Sequence, residues 1–202
     1  WLMKAIELQP DYSYANIDLA NLYVLKNKDQ QANELMKKVV IVHPEDPRIL
    51  DNAGAIAEAT GNFSLAKEYY QRSMKANPSF ATDPGTSSGI GLGHILLKEG
   101  KRNEGRKLLN QARTLQQKQI EEGDVAFDPR HYLAAISAIE GNTREANAWL
   151  QNAIAAGYRD YYDSQRDPWL DNLRNDDQYK QIMAQLKAKL DSMRTKVEEM
   201  EK

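Results

Sequence analysis

A recurrence of small residues at a fixed period narrows what this chain can fold into more than any other feature. Residues 47–80 read PRILDNAGAIAEATGNFSLAKEYYQRSMKANPSF, a unit of 34 residues. Gly54, Ala66 and Ser73 fall where two helices must approach closely, and Tyr69, Tyr70 and Met74 supply the bulk that fills the space beside them. The stretch Thr60–Asn62 breaks the pattern, because glycine readily takes the dihedrals that end a helix. Asn77 and Pro78 end the second helix, since the residue before a proline avoids the helical region. A helix pair of this kind cannot bury its apolar face alone, so neighbouring pairs must stack to close a core.

The same set of small residues reappears on both sides. Residues 1–12 form the second half of a unit, with Ala5 in the place of Ser73. Residues 13–46 form a whole one, with Ala20 and Ala32 small, Leu19, Tyr23 and Met36 bulky, Lys26–Lys28 at the turn, and a stop at His43–Pro44. After Phe80 the period slips through a turn-rich insertion, Ala81–Gly85, and resumes near 86–119 with Gly93, Gly100, Gly105 and Ala112 at the small positions. The first helix of that unit is weak by propensity, since SSGIGLG places glycine where alanine would be better by ~1 kcal/mol each. Its second helix runs on through KLLNQARTLQQKQIEEG, and a second insertion follows around Ile120–Ala126. A last unit, near 127–156, recovers the pattern through Ala134, Gly141, Ala146 and Ala153, with Leu133, Trp149 and Leu150 as bulk. Helix breaks are therefore expected near Asn27, Gly61, Gly100 and Gly141. Opening at Trp1 in mid-unit, the chain is expected to be the C-terminal array of a larger bacterial protein.

This 34-residue helix–turn–helix with small/large alternation resembles the tetratricopeptide repeat (TPR). The resemblance implies an all-α, right-handed superhelix, an α-α solenoid, over residues 1–156. Its concave face would be lined by the first helix of each repeat and would take a peptide or a helix of a partner. Mapped onto this chain, that face carries Tyr14, Ile17, Asn21 and Val24, then Arg48, Asp51, Asn52, Ala55 and Glu58. Further on come Ile90, His94 and Leu97, then His131, Tyr132 and Ala135. The partner-binding residues expected from the map are Tyr14, Asn21, Arg48, Asp51, Asn52, Glu58, His94 and His131. One family mode, capture of a chaperone's C-terminal carboxylate, is excluded. Asn21 and Asn52 match its asparagines, but Ile17, Ser87 and Gly91 stand where its cations belong. The function implied is a protein–protein interaction scaffold; the alternative is a regulatory or sensor segment of a larger signalling or transcriptional protein.

Residues 157–202 change character. An aromatic stretch (GYRDYYDSQR) leads into a short helix at Asp167–Leu170, and Asn175–Asp177 reads as the N-cap of a long last helix. This tail is similar to the closing segment after the last TPR in many bacterial signalling proteins. Tyr158, Tyr161, Tyr162 and Trp169 are expected to cover the open end of the array, since a solenoid needs an atypical cap. In the last helix Tyr179, Met183, Leu186, Leu190, Met193, Val197 and Met200 alternate by four and three, the seam of a coiled coil. Tyr179, Ile182, Met183 and Leu186 should cap the fifth unit. Met193, Val197 and Met200 overhang it and are expected to pair two copies as a homodimer.

Little in the chain suggests chemistry. The absence of cysteine excludes disulfides and thiolate-held zinc, and a net charge of −2 gives no field for nucleic acid. The mapped groove supplies only Arg48 against Asp51 and Glu58. His43 sits at a helix end, where it suits the dipole. His94 and His131 with Asp128 lack the spacing of a strong metal motif. SSGIGLG has no βαβ unit around it to make a phosphate cradle, and the carboxylate pairs Glu121–Glu122 and Asp176–Asp177 sit at helix ends. The expectation is no enzymatic activity, no cofactor, no metal, no nucleic acid and no membrane insertion, with another protein as the partner. The cytoplasm is expected ahead of the periplasm.

Overall fold

The computed structural model describes residues 2–76 and 87–200, and every regular element among them is a helix. The chain forms two compact units, Trp1–Leu115 and Gln116–Lys202. The Asn77–Pro78 stop and the Ala81–Gly85 insertion lie outside the described residues.

In the first unit the helices are α1 (Leu2–Leu8), α2 (Ser13–Leu25), α3 (Asp29–Val42), α4 (Pro47–Ala59), α5 (Phe63–Ala76), α6 (Ser87–Lys98) and α7 (Arg102–Glu121), the last of which contains the unit boundary. The breaks fall where the small-residue pattern puts them. Asn27, Gly61 and Gly100 all have positive φ, at 56°, 77° and 79°, and each turns one helix back on the next. α4 opens cleanly: Pro47 occupies the first turn, where its missing N–H costs nothing, and the Asp46 side chain accepts from the backbone N–H groups of Arg48 and Ile49. Ala20, Ala32, Ala66 and Ser73 are wholly buried, and the Ser73 hydroxyl donates to the Pro47 carbonyl at 2.7 Å, tying α5 to the start of α4. Leu50, Met36 and Tyr70 fill the core between them.

α6 departs from its propensity. A glycine-rich stretch expected to be a weak helix runs unbroken from Ser87 to Lys98, and Ser88 through Leu96 are all buried. Its glycines are contact surface rather than slack. A Cβ on Gly91 would lie 2.3 Å from the Tyr70 ring, and one on Gly54 of α4 would lie 2.5 Å from the same ring, so Tyr70 is wedged between two helices that both lack a side chain there. Likewise a Cβ on Gly105 of α7 would stand 2.7 Å from the Gly93 carbonyl oxygen. Close packing at four bare positions outweighs the ~1 kcal/mol that each glycine costs a helix.

The second unit contains α8 (Asp128–Ile139), α9 (Thr143–Ala155), α10 (Tyr161–Ser164), a 3-10 turn η1 (Pro168–Leu173) and α11 (Asp177–Met200). Gly141, with φ 80°, separates α8 from α9. Ala134, Ala138, Ala146, Leu150 and Ala153 of that pair share a core with Tyr158, Leu170 and Leu173. The buried residues of α11 are Tyr179, Ile182, Met183 and Leu186, the four expected of a capping helix. Asp167 caps η1 by accepting from the Trp169 N–H, and Asp176 caps α11 by accepting from the Tyr179 N–H at 2.8 Å. The same Asp176 oxygen accepts from Asn147 of α9 at 2.7 Å. Together these bonds hold its carboxyl below the usual range, the Tyr179 N–H contributing most.

Candidate functional site

α2 and α4 pack side by side, and α4 and α6 pack likewise, so the first helices of consecutive repeats present adjacent surfaces within the first unit. Whether a side chain on them is free for a partner depends on what its own helix and neighbours already take from it.

Three of the expected partner-binding residues stay open to solvent. Tyr14 is 50% exposed, at the start of α2, with its ring edge-on to Tyr12 at 6.0 Å. Asn21, one face-turn along α2, and Arg48, at the start of α4, are also exposed, and Arg48 forms no ion pair among the described residues. Leu22 adds an exposed apolar group to α2 that the map did not single out. Asn52 is half-buried and donates to the Arg48 carbonyl at 2.7 Å.

Asp51, Glu58 and His94 are occupied inside the fold. Asp51 accepts from the Ser87 and Ser88 hydroxyls and from the Ser88 backbone N–H, and so serves as an N-terminal cap for α6 supplied by α4. Burial pushes its carboxyl above the usual range, with the two serines opposing the shift. Glu58 is buried, accepts from the Tyr70 hydroxyl at 2.8 Å, and lies 2.6 Å from His94 Nδ1, a contact that needs a proton between the two atoms. Tyr70, Glu58 and His94 therefore join α5, α4 and α6 through one buried polar line. Sequence reasoning placed Glu58 and His94 on a surface and Tyr70 in the core as bulk. The signal for their union was the glycine pair Gly54 and Gly91, which leaves the Tyr70 ring room to reach across. Of the apolar members of the map, Ile17, Val24, Ile90 and Ala135 are core residues, Leu97 is half-buried and Ala55 is exposed.

His131 belongs to the second unit. Its ring stacks on Tyr158 at 4.6 Å and 14°, and Nε2 is fully buried, without a hydrogen-bond partner, 4.0 Å from Asp167 Oδ2. Burial lowers its pKa to about 4. Tyr158 is buried in turn, shares a hydrogen bond with Ser164 Oγ at 2.8 Å, and takes Phe127 edge-on at 5.7 Å. Of the aromatic tail, Tyr158 and Trp169 are buried and Tyr162 is exposed. On α11, Met193, Val197 and Met200 are 49%, 48% and 79% exposed. Among the described residues no group of histidines, aspartates and glutamates is arranged to hold a metal ion, and no helix is long and apolar enough to cross a membrane.

Comparison with known proteins bears on the repeat itself. The family model that matches is the tetratricopeptide repeat, over residues 47–80. Nearly identical TPR-like repeats of a candidate kinesin light chain from Podosopora anserina superpose with a TM-score of 0.50 at 17% identity, covering 89% of this chain and 95% of that one. This likeness is one of fold: an all-α array of helical repeats. A tetratricopeptide repeat protein from Parabacteroides merdae aligns over 86% of this chain and 75% of its own, with a TM-score of 0.48 and 13% identity. YrrB, a TPR protein with an unusual peptide-binding site, aligns over 92% and 91%, with a TM-score of 0.41 and 17% identity. No curated protein matches the chain by sequence.

Proposed function

We propose that this chain is a protein-interaction module that takes an extended peptide or a helix of a partner along the exposed faces of α2 and α4. The observation that carries the reading is the division just described. Tyr14, Asn21 and Arg48 remain open on adjacent first helices of repeats, while Asp51, Glu58 and His94 are committed to holding those repeats together. Arg48, an exposed guanidinium with no ion-pair partner among the described residues, suits an acidic group on the partner. Tyr14 offers a large rigid face at low entropic cost, the kind of residue that anchors interfaces. The TPR match over α4 and α5 agrees with this class, since stacked helical repeats build extended binding surfaces.

The test is capture of a partner by the whole chain, followed by titration of the purified pair. Tyr14→Ala with Arg48→Glu should weaken binding by about tenfold or more. A partner whose affinity is unchanged in the double variant would place the surface elsewhere. In the second unit, the exposed stripe of α11 is a separate contact surface on the same reading.

A further inference from the structure

The stripe on α11 has a chemical character that identifies what covers it. Past Leu190 the helix leaves its own core. Leu190 is half-buried, and Met193, Val197 and Met200 are open to solvent over a stretch about 11 Å long. With 3.6 residues per turn these four side chains occupy a band only about 80° wide, the narrow seam of a coiled coil rather than the broad apolar face of a helix lying on lipid. The band carries no aromatic residue.

Charge is sorted around this band. Lys187, Lys189, Arg194 and Lys196 all lie within about 60–100° of its centre, on both shoulders, while Asp191, Glu198 and Glu199 lie about 120–140° away, on the back of the helix. Lys187 is partly neutralised by Asp191 at 2.6 Å; Lys189, Arg194 and Lys196 form no ion pair among the described residues. In heptad terms the shoulders are the positions that choose a coiled-coil partner. A second copy meets them with like charge in either direction. In a parallel pair Lys189 faces the other copy's Arg194; in an antiparallel pair centred on this band Arg194 faces Arg194 and Lys196 faces Lys196.

We propose, resting on the reading of the chain as an interaction module, that the end of α11 docks a helix of a different protein whose seam is apolar and whose shoulders are acidic. The apolar band supplies contact area, and the cationic shoulders select against self-pairing and for an anionic partner.

The probe is a synthetic helix of about three heptads with isoleucine and leucine in the seam and glutamate at every shoulder position, titrated into the full chain. A matched helix with lysine at those positions is the control. The glutamate helix should bind with an affinity that falls as salt rises, and at least about tenfold more tightly than the lysine helix. Met193→Glu with Val197→Glu should abolish binding while leaving the helical circular dichroism unchanged. Lys189→Glu with Arg194→Glu and Lys196→Glu, which leaves only the Asp191-paired Lys187 as a shoulder cation, should invert the preference, a result that loss of folding cannot mimic. Three results would overturn the proposal: equal binding of both helices, a dimer of the chain alone by light scattering, or binding to phosphatidylserine vesicles with neither helix bound. The titration needs no groove partner, so its failure leaves the α2–α4 reading standing, and failure of the Tyr14 and Arg48 test leaves this one standing.

Discussion

In the first unit His94 lies against a carboxyl group, and in the second His131 lies against an aromatic ring. Both sit on the first helix of a pair joined through a glycine of positive φ. His94 Nδ1 has Glu58 at 2.6 Å, and that carboxyl also receives the Tyr70 hydroxyl. His131 has the face of Tyr158 at 4.6 Å, and its nearest carboxylate oxygen, on Asp167, is 4.0 Å from an Nε2 with no hydrogen-bond partner. Aligning the repeats on Gly61 and Gly100 puts Leu97 one repeat on from Glu58, so the carboxyl that satisfies His94 is not repeated. The difference shows what the repeat controls. Small residues recur and fix where the backbones go; the polar partners within that frame are local to each unit, and a buried imidazole must be met by whatever stands beside it.

The strongest way to break this comparison is to delete each carboxyl. Glu58→Ala removes the partner of two buried polar groups at once and leaves a cavity, so it should destabilise the chain by roughly 3–5 kcal/mol. Asp167→Ala removes a group too distant to hydrogen-bond His131, together with the η1 cap, worth about 1 kcal/mol, and should cost less. Midpoints of urea unfolding compare the two directly. Equal losses that persist when His131 is changed to phenylalanine would show that the two carboxyls differ in nothing that concerns the histidines.

Acid should test His131 next. The folded-state pKa of His131 is about 4, lowered by burial from 6.5, so the unfolded chain takes up this proton first. Its contribution is therefore complete above pH 6.5 and is lost as pH falls from there towards 4, by about 3 kcal/mol at the end of the window. His131→Phe keeps the stack on Tyr158 and has no proton to bind, so its stability should fall less than that of the wild type between pH 7 and pH 4.5. Parallel curves would show that the imidazole is not what titrates.

How far this was visible in the sequence follows the same line. The helix breaks at Asn27, Gly61, Gly100 and Gly141 were legible because only a few residues tolerate positive φ. The capping set Tyr179, Ile182, Met183 and Leu186 was legible because a helical period separates a buried face from an open one. The glycine-rich α6 was read as weak because propensity is a local quantity, whereas the ring of Tyr70 that fits against Gly91 arrives from another helix. Glu58 and His94 share the exposed-face periodicity of Arg48, and nothing local distinguishes them. Their burial comes from α6 packing over the end of α4 and from Tyr70, all set by tertiary contact. A glutamate and a histidine in neighbouring first helices, with glycines beside a tyrosine, was the available signal.

The finest test of the comparison removes one oxygen from each unit. Tyr70 and Tyr158 are both buried tyrosines whose hydroxyls make a 2.8 Å hydrogen bond, the first to Glu58 and the second to Ser164. Changing either to phenylalanine preserves the ring, so the wedge between Gly54 and Gly91 and the stack on His131 both survive. What is lost is the hydroxyl and the bonds that it makes, for Tyr158 including a longer one of 3.4 Å to the Asp160 carbonyl. A hydroxyl on a carboxylate is worth about 1.5–3 kcal/mol, and removing it leaves Glu58 with His94; a hydroxyl on another hydroxyl is worth about 0.5–1.5 kcal/mol. Ser164 also donates to the Asp160 carbonyl at 2.8 Å, so it keeps a partner when Tyr158 loses its oxygen. Tyr70→Phe should therefore cost about 2 kcal/mol and Tyr158→Phe about 1 kcal/mol, read from unfolding midpoints at pH 7. In the double variant Tyr70→Phe with Glu58→Leu, the second change should cost less than Glu58→Leu does alone, because the bond between the two is already gone. Strict additivity there, with equal single-site costs in the two units, would show that the carboxyl contributes nothing to the first unit that a serine does not contribute to the second.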